Sequence, residues 1–209
     1  MLRKEKIKGV IMKKYSKLKK IIDFDITLIA TIALSPLIVL LSLLIKMDSK
    51  GPVLFKQKRI GKNKVPFYIF KFRTMKIETP KDTPTHMLEN PESYITNMGA
   101  FLRKTSLDEL PQLFNILKSD MSLVGPRPAL WNQYDLIEER DKYKANAIEP
   151  GLTGWAQVNG RDELPIEIKA RLDGEYVSKQ SLTFDLKILI KTFLGVLKSD
   201  GVKEGKADS

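Results

Sequence analysis

Residues 26–45 read Ile26-Thr27-Leu28-Ile29-Ala30-Thr31-Ile32-Ala33-Leu34-Ser35-Pro36-Leu37-Ile38-Val39-Leu40-Leu41-Ser42-Leu43-Leu44-Ile45, without one charged side chain. A run of about 20 apolar residues is the length that crosses the hydrocarbon core of a bilayer as a helix. A globular helix of that length normally keeps a polar face, and this one has none. The run is also too long and too far from the N-terminus for an ordinary signal peptide, and no small-residue cleavage motif follows it. The stretch predicts membrane insertion. Ser35-Pro36 falls at its middle. Proline removes a backbone hydrogen bond and crowds the preceding turn, so a kink is expected there, with the Ser35 hydroxyl free to bond a released carbonyl.

The flanks set the topology. Arg3, Lys4, Lys6, Lys8, Lys13, Lys14, Lys17, Lys19 and Lys20 precede the run, and Lys46, Lys50, Lys56, Lys58, Arg59, Lys62 and Lys64 follow it. Basic flanks stay on the cytoplasmic side. Both ends are basic, so both prefer the same side. A re-entrant helix, kinked at Ser35-Pro36 and using one leaflet, satisfies both. A straight span with an extracytoplasmic N-terminus satisfies one.

The whole chain has 209 residues, 43% of them hydrophobic and 29% charged, enough for one domain with a core plus a membrane element. Cysteine is absent, which excludes disulfides, thiol nucleophiles and cysteine metal sites. The one histidine, His86, lies in a Pro/Thr-rich stretch and is read as a surface-loop residue. Acid–base and nucleophilic work therefore falls to carboxylates. The net charge of +11 suits an anionic membrane surface or a phosphorylated substrate. No recognition-helix, zinc or aromatic-platform pattern supports a nucleic-acid partner.

Past the membrane run, Val53–Gln57 and Phe67–Arg73 read as two short strands joined at Gly61-Lys62-Asn63-Lys64. Alternation places Lys71 and Arg73 on one face, about 7 Å apart, a spacing that suits a phosphate or diphosphate and equally an edge strand guarded by basic residues. Residues 77–97 read as a loop. Helices are predicted over 107–117, over 135–146 (mostly solvated), over 166–177 and over 182–197. The last carries one apolar face, Leu182, Leu186, Leu189, Ile190, Phe193, Leu194 and Leu197, which fits either a core or the lipid headgroup region.

Thr105-Ser106-Leu107-Asp108-Glu109-Leu110-Pro111-Gln112 carries the chemistry. Ser106 and Glu109 match a capping box, which by itself accounts for both acids. A helix start also keeps a carboxylate ionised and shares space with phosphate. An ionised Asp can attack phosphorus, and a neighbouring Glu can hold Mg²⁺ together with substrate phosphates. Arg103 precedes the pair. Arg127 stands between Pro126 and Pro128, which aim it as a phosphate clamp. The loop from Gly151 to Arg161 is punctuated by glycines that permit close backbone approach to a ligand, and its Trp155 is read as a core residue.

These residues resemble the bacterial sugar transferase family, the monotopic phosphoglycosyl transferases. The resemblance rests on Ser35-Pro36, Gly51-Pro52-Val53 with Gln57, Lys71-Phe72-Arg73-Thr74-Met75 and the segment 106–112. It rests also on Met121-Ser122-Leu123-Val124-Gly125-Pro126-Arg127-Pro128 and on the segment 150–161, and it runs from about Lys19 to Leu197. It implies a helix-rich α+β fold: an N-terminal re-entrant membrane helix, a small β-hairpin, and amphipathic interfacial helices around a cytosolic catalytic core. Its parts are a basic segment (1–20), the membrane helix (21–46), the catalytic domain (47–198) and a flexible tail (199–209). The resemblance implies transfer of a sugar-1-phosphate from a UDP-sugar to a polyprenol phosphate such as undecaprenyl phosphate, with release of UMP, at the cytoplasmic leaflet of the bacterial inner membrane. Asp108 would be the nucleophile and Glu109 the Mg²⁺ ligand. Lys71, Arg73, Arg103, Arg127, Gln157, Asn159 and Arg161 would contact substrate. Asp23 keeps the family's acidic position and is expected to pair with a basic residue; Asp25 has no assigned role. The sugar stays open, as does a homodimer. The competing reading is a non-catalytic basic adaptor at the membrane surface.

Overall fold

The lysine-rich segment and the apolar run form one helix, α1 (Leu2–Asp48), in the computed structural model, which describes residues 2–79, 91–160 and 164–197. His86, Arg161 and the tail lie outside the described residues. The helix continues past Pro36 as one element. Ser35 Oγ donates to the Ile32 carbonyl at 2.7 Å, the acceptor that Pro36 deprives of its usual amide. The buried positions of α1, Lys19, Asp23, Thr27, Leu41 and Ile45, recur on one side of the helix. Ile21, Ile29, Ile32, Val39, Leu40 and Leu43 are exposed on the others.

A hairpin follows: β1 (Leu54–Ile60) pairs antiparallel with β2 (Pro66–Phe72), in register from Leu54 opposite Phe72 to Ile60 opposite Pro66. A 3₁₀ turn at Lys62–Lys64 joins them. The stretch expected to be loop includes α2 (Pro91–Tyr94), and α3 (Asn97–Thr105) begins at its end, over residues to which no element was assigned. Thr96 caps α3 by accepting from the Gly99 amide. Gly99 is required where it stands, since a Cβ there would lie 2.0 Å from the Thr74 carbonyl oxygen.

The helix expected over 107–117 is not one element. Ser106 adopts a left-handed conformation (φ 56°, ψ 16°), makes no side-chain cap, and ends α3. A 3₁₀ turn, Leu107–Glu109, follows, and α4 (Gln112–Leu117) starts after Pro111. The capping box therefore does not form: Ser106 serves as the C-terminal residue of the preceding helix, where positive φ is common. The missing N–H of Pro111 makes it a natural helix start.

Two short strands escaped the sequence reading. β3 (Ser122–Val124) runs parallel to β4 (Gly151–Thr153). A Cβ at Gly151 would sit 2.0 Å from the Gly125 nitrogen, and one at Gly154 2.1 Å from the Gly125 carbonyl oxygen. These glycines expected to face a ligand serve a backbone crossing instead. Between the strands lies α5 (Tyr134–Asp141), shorter than expected; Leu136, Ile137 and Arg140 are buried, and Tyr134, Asp135, Glu138 and Asp141 are exposed. α6 (Ile166–Lys179) and α7 (Leu182–Leu197) are the last of the described elements.

The core is several linked clusters. Leu41 and Ile45 of α1 pack with Phe72 and Leu102, and with Leu107 and Leu110 at the rim. Val124, Tyr176 and Ile188 pack with Trp155 and Phe184. Trp155 is thus the packing residue expected, its ring 5.0 Å from that of Phe184 and its Nε1 donating to Glu175 at 3.0 Å. A buried polar knot fastens α1 just ahead of its apolar run. Lys19 Nζ reaches Asp185 (2.5 Å) and Asp23 (3.4 Å), and the Ser122 hydroxyl donates to Asp23 (2.5 Å). Asp23 thereby finds the basic partner expected of it. The Tyr15 hydroxyl donates to the same Asp185 oxygen as Lys19, and the Tyr176 hydroxyl donates to the other one. Asp25 is exposed.

Candidate active site

Asp108 and Glu109 sit on the 3₁₀ turn that the end of α3 and Pro111 isolate between two helices. The turn packs by Leu107 and Leu110 on the α1–β2–α3 cluster, so the acids are carried on a rigid shelf. β2 runs alongside. Lys71 Nζ lies 2.9 Å from Glu109 Oε1 and 3.5 Å from Asp108 Oδ2. From the opposite side, Arg127 Nη2 reaches the same Glu109 oxygen at 3.2 Å. Among the described residues, Glu109 is thus held by two cations and Asp108 by one long contact.

The electrostatics differ accordingly. Burial pushes the Asp108 carboxyl above its ordinary range; Lys71 opposes this, and the charge of Glu109 adds to it. Burial also works against ionised Glu109, but Lys71 and Arg127 outweigh it and hold that carboxyl well below the ordinary range. Adjacent acids with opposed environments divide their roles, one a fixed anion and one a less committed carboxylate.

The Arg127 turn is braced on three sides. The Arg59 guanidinium donates to the Pro128 carbonyl (3.1 Å), the Ile60 amide to Ala129 (2.9 Å) and the Gly151 amide to Pro126 (2.9 Å). Arg59 also donates to the Gln57 side chain at 2.6 Å. The sequence reading missed Arg59, and strand alternation alone offered no signal for it. Arg103 donates to the Thr74 hydroxyl at 2.9 Å, and its charge reaches Asp108.

Other expected site residues are placed differently. Arg73 is buried and donates to the carbonyls of Lys50 (2.6 Å) and Ser49 (2.7 Å), tying down the end of α1. Lys71 and Arg73 therefore do not form one phosphate-facing pair: strand pairing ends at Phe72, and the guanidinium turns to α1. Gln157 donates to the Leu152 carbonyl (3.4 Å) and Asn159 to that of Trp155 (2.6 Å), both bracing the glycine loop.

Among the described residues no group of three or more acids or histidines forms a metal cage. The donor set here is two adjacent carboxylates, one kept ionised. That fits Mg²⁺, which takes one or two protein carboxylates and completes its shell with water and substrate phosphate.

The sequence profile described as bacterial sugar transferase matches residues 14–199. A protein of Bacillus subtilis named uncharacterized sugar transferase EpsL is 40% identical over 187 residues, 90% of this chain and 91% of that one. The UDP-glucose:undecaprenyl-phosphate glucose-1-phosphate transferase of Escherichia coli is 38% identical, over 84% of this chain and 39% of its own length. The UDP-N-acetylgalactosamine-undecaprenyl-phosphate N-acetylgalactosaminephosphotransferase of Aeromonas hydrophila is 35% identical, over 90% and 46%. The chain spans nearly all of the first and less than half of the other two.

Proposed function

The chain belongs to the bacterial sugar transferase family, and on that premise we propose that it moves a sugar-1-phosphate from a UDP-sugar to undecaprenyl or another polyprenol phosphate, initiating glycan assembly at the cytoplasmic membrane. The observation that carries this reading is the unequal pair of acids. Among the described residues, Glu109 is fastened by Lys71 at 2.9 Å and Arg127 at 3.2 Å, while Asp108 is met by Lys71 at 3.5 Å.

In the first half-reaction an Asp108 carboxylate oxygen attacks the sugar-bearing phosphorus of the donor. The bond from that phosphorus to the bridging oxygen breaks, and UMP leaves with the bridging oxygen and its electron pair. An aspartyl phosphosugar remains. In the second, an oxygen of the polyprenol phosphate attacks the same phosphorus and the Asp108 oxygen departs, restoring the carboxylate and yielding the polyprenyl-diphosphate sugar. Lys71, Arg103 and Arg127 present cations that charge-match the phosphates and the developing charge. Arg161, outside the described residues, is proposed for the same task. Glu109 would hold Mg²⁺, with Asp108 beside it; when bound, the ion supplies charge neutralisation at the donor phosphates. A basic adaptor at the membrane would have no use for this arrangement of acids and cations. UMP release measured over a panel of UDP-sugars, UDP-glucose and UDP-N-acetylgalactosamine included, with undecaprenyl phosphate, tests the reading. Absence of release with every donor would refute it.

The same chain geometry supports a re-entrant α1. Lys19 and Asp23 just before the apolar run, and Leu41 and Ile45 at its far end, are all buried against the rest of the chain. Some 26 residues of helix separate Lys19 from Ile45, about 39 Å if straight. A perpendicular span would carry one end away from a body on a single side of the bilayer. A helix bent about Ser35-Pro36 and entering one leaflet keeps both ends at that body. α7 fits the same surface, with Leu182, Leu186, Ile190, Phe193 and Leu194 exposed along one side while Ile188 is buried. With cysteine introduced as Glu5→Cys or Pro80→Cys, neither position is expected to react with an impermeant maleimide added outside intact cells. Labelling at 5 alone would establish a simple span.

A further inference from the structure

Leu113-Phe114-Asn115-Ile116-Leu117 places one amide in an otherwise apolar helical stretch. Asn115 is fully buried on α4. Its Nδ2 donates to the Tyr68 carbonyl at 2.8 Å, and its Oδ1 accepts from the Phe70 amide at 2.9 Å. Those are the two groups that one residue of a third, parallel strand would engage on the edge of β2. A two-stranded sheet is marginal by itself, and here a side chain completes the edge. Lys71 is the next residue along. Asn115 also holds the far end of α4: its carbonyl accepts from the amide of Asp120 (3.0 Å), and its Nδ2 lies 3.4 Å from the Asp120 carboxylate. That turn leads into β3 and so to Arg127. Its helix follows directly on the turn that bears Asp108 and Glu109.

We propose that Asn115 is a positioning residue that sets the Lys71 ammonium against Asp108 and Glu109 by locking the edge of β2 to α4. The strand carrying the cation and the helix following the acids pack through Ile69 and Ile116, and this amide supplies the directional hydrogen bonds between them. No carboxylate or hydroxyl provides both the donor for Tyr68 and the acceptor for Phe70 with the same spacing. The inference rests on the transferase reading above, since it assigns Lys71 a part in that reaction.

The test uses the full-length protein in nanodiscs, undecaprenyl phosphate, and a UDP-sugar that the wild type turns over. In Asn115→Ala, kcat is expected to fall about 10- to 100-fold, the cost of misplacing a group by about 1 Å. KM for the UDP-sugar is expected to stay within about twofold, because the change acts on the reacting geometry rather than on uniform binding. Assays run well below the measured thermal midpoint separate this from simple unfolding. If Asn115→Ala does not fold, Asn115→Ser, which keeps one polar group at the site, is assayed the same way. A folded variant with kcat within about twofold of wild type, or with its loss wholly in KM, overturns the proposal. Lack of wild-type UMP release would overturn the transferase reading itself, whereas wild-type turnover beside an unimpaired variant counts against Asn115 alone.

Discussion

In Asp108→Asn, UMP release is expected to fall by on the order of 10⁴-fold or more, the scale of losing a covalent nucleophile. The amide has nearly the same shape as the carboxyl but does not attack phosphorus. The fold is expected to survive. Burial raises the Asp108 carboxyl above its ordinary range despite Lys71, Arg103 and Arg127, so the structure holds the charged form at a net cost that a neutral isostere removes. The thermal midpoint should therefore match wild type or exceed it. Intact mass after incubation with donor alone gives the direct check. The wild type should gain the mass of a phosphosugar and the variant should not. Turnover by the variant near the wild-type rate would remove Asp108 from the reaction.

The largest expected loss of stability lies away from the site. Arg140 and Asp173 join α5 to α6 by contacts of 2.8 Å from Nε and 2.6 Å from Nη2, with side chains 4% and 1% exposed. Asp173 is so deeply buried that its carboxyl is pushed above the ordinary range despite the guanidinium beside it. In Arg140→Ala that carboxylate loses its counter-ion inside the core. The expected cost is about 3–5 kcal/mol. For a chain of this size that lowers the thermal midpoint by roughly 6–20 °C. The double variant Arg140→Leu with Asp173→Leu should recover most of the loss, because the desolvation penalty disappears along with the pair. Differential scanning of the protein in nanodiscs measures both. A single variant melting within a degree or two of wild type would show that water reaches Asp173.

Much of the fold could be read along the chain wherever a local pattern meets a local cause. The hairpin appears where alternation and a glycine turn put it, with strands a residue or a few longer or shifted. α7 matches its predicted span, since seven apolar residues at helical spacing leave no rival structure. Reading failed where one residue had two local options. Ser106 satisfies a capping-box pattern, yet α3 arrives from the other side and uses it as a terminus. α3 itself was hidden because its capping threonine and close-packed glycine look like loop residues until Thr74 is placed beside them. β3 and β4 are three residues each, too short for any period to show.

For the site, the residue types were legible and the partnerships were not. Asp108 and Glu109 stood out as adjacent acids in a basic chain, and Arg127 as an arginine framed by prolines. Lys71 and Arg73 looked equivalent, yet one faces the acids and the other clasps the end of α1.

By itself the sequence determined the membrane-length run, the placement of basic residues at both its ends and the two neighbouring carboxylates. Each follows from composition over a short window, where hydrophobic transfer and charge act without reference to distant residues. Only the tertiary structure decided which cation meets which acid. Lys71 and Arg127 reach Glu109 across 38 and 18 residues of chain, and no local rule spans that separation. Their meeting depends on where the hairpin, α4 and the proline-framed turn come to rest on one core. That placement is set by the packing of Phe72, Leu102, Leu41 and Ile45, and by the hydrogen bonds of Asn115 and Arg59.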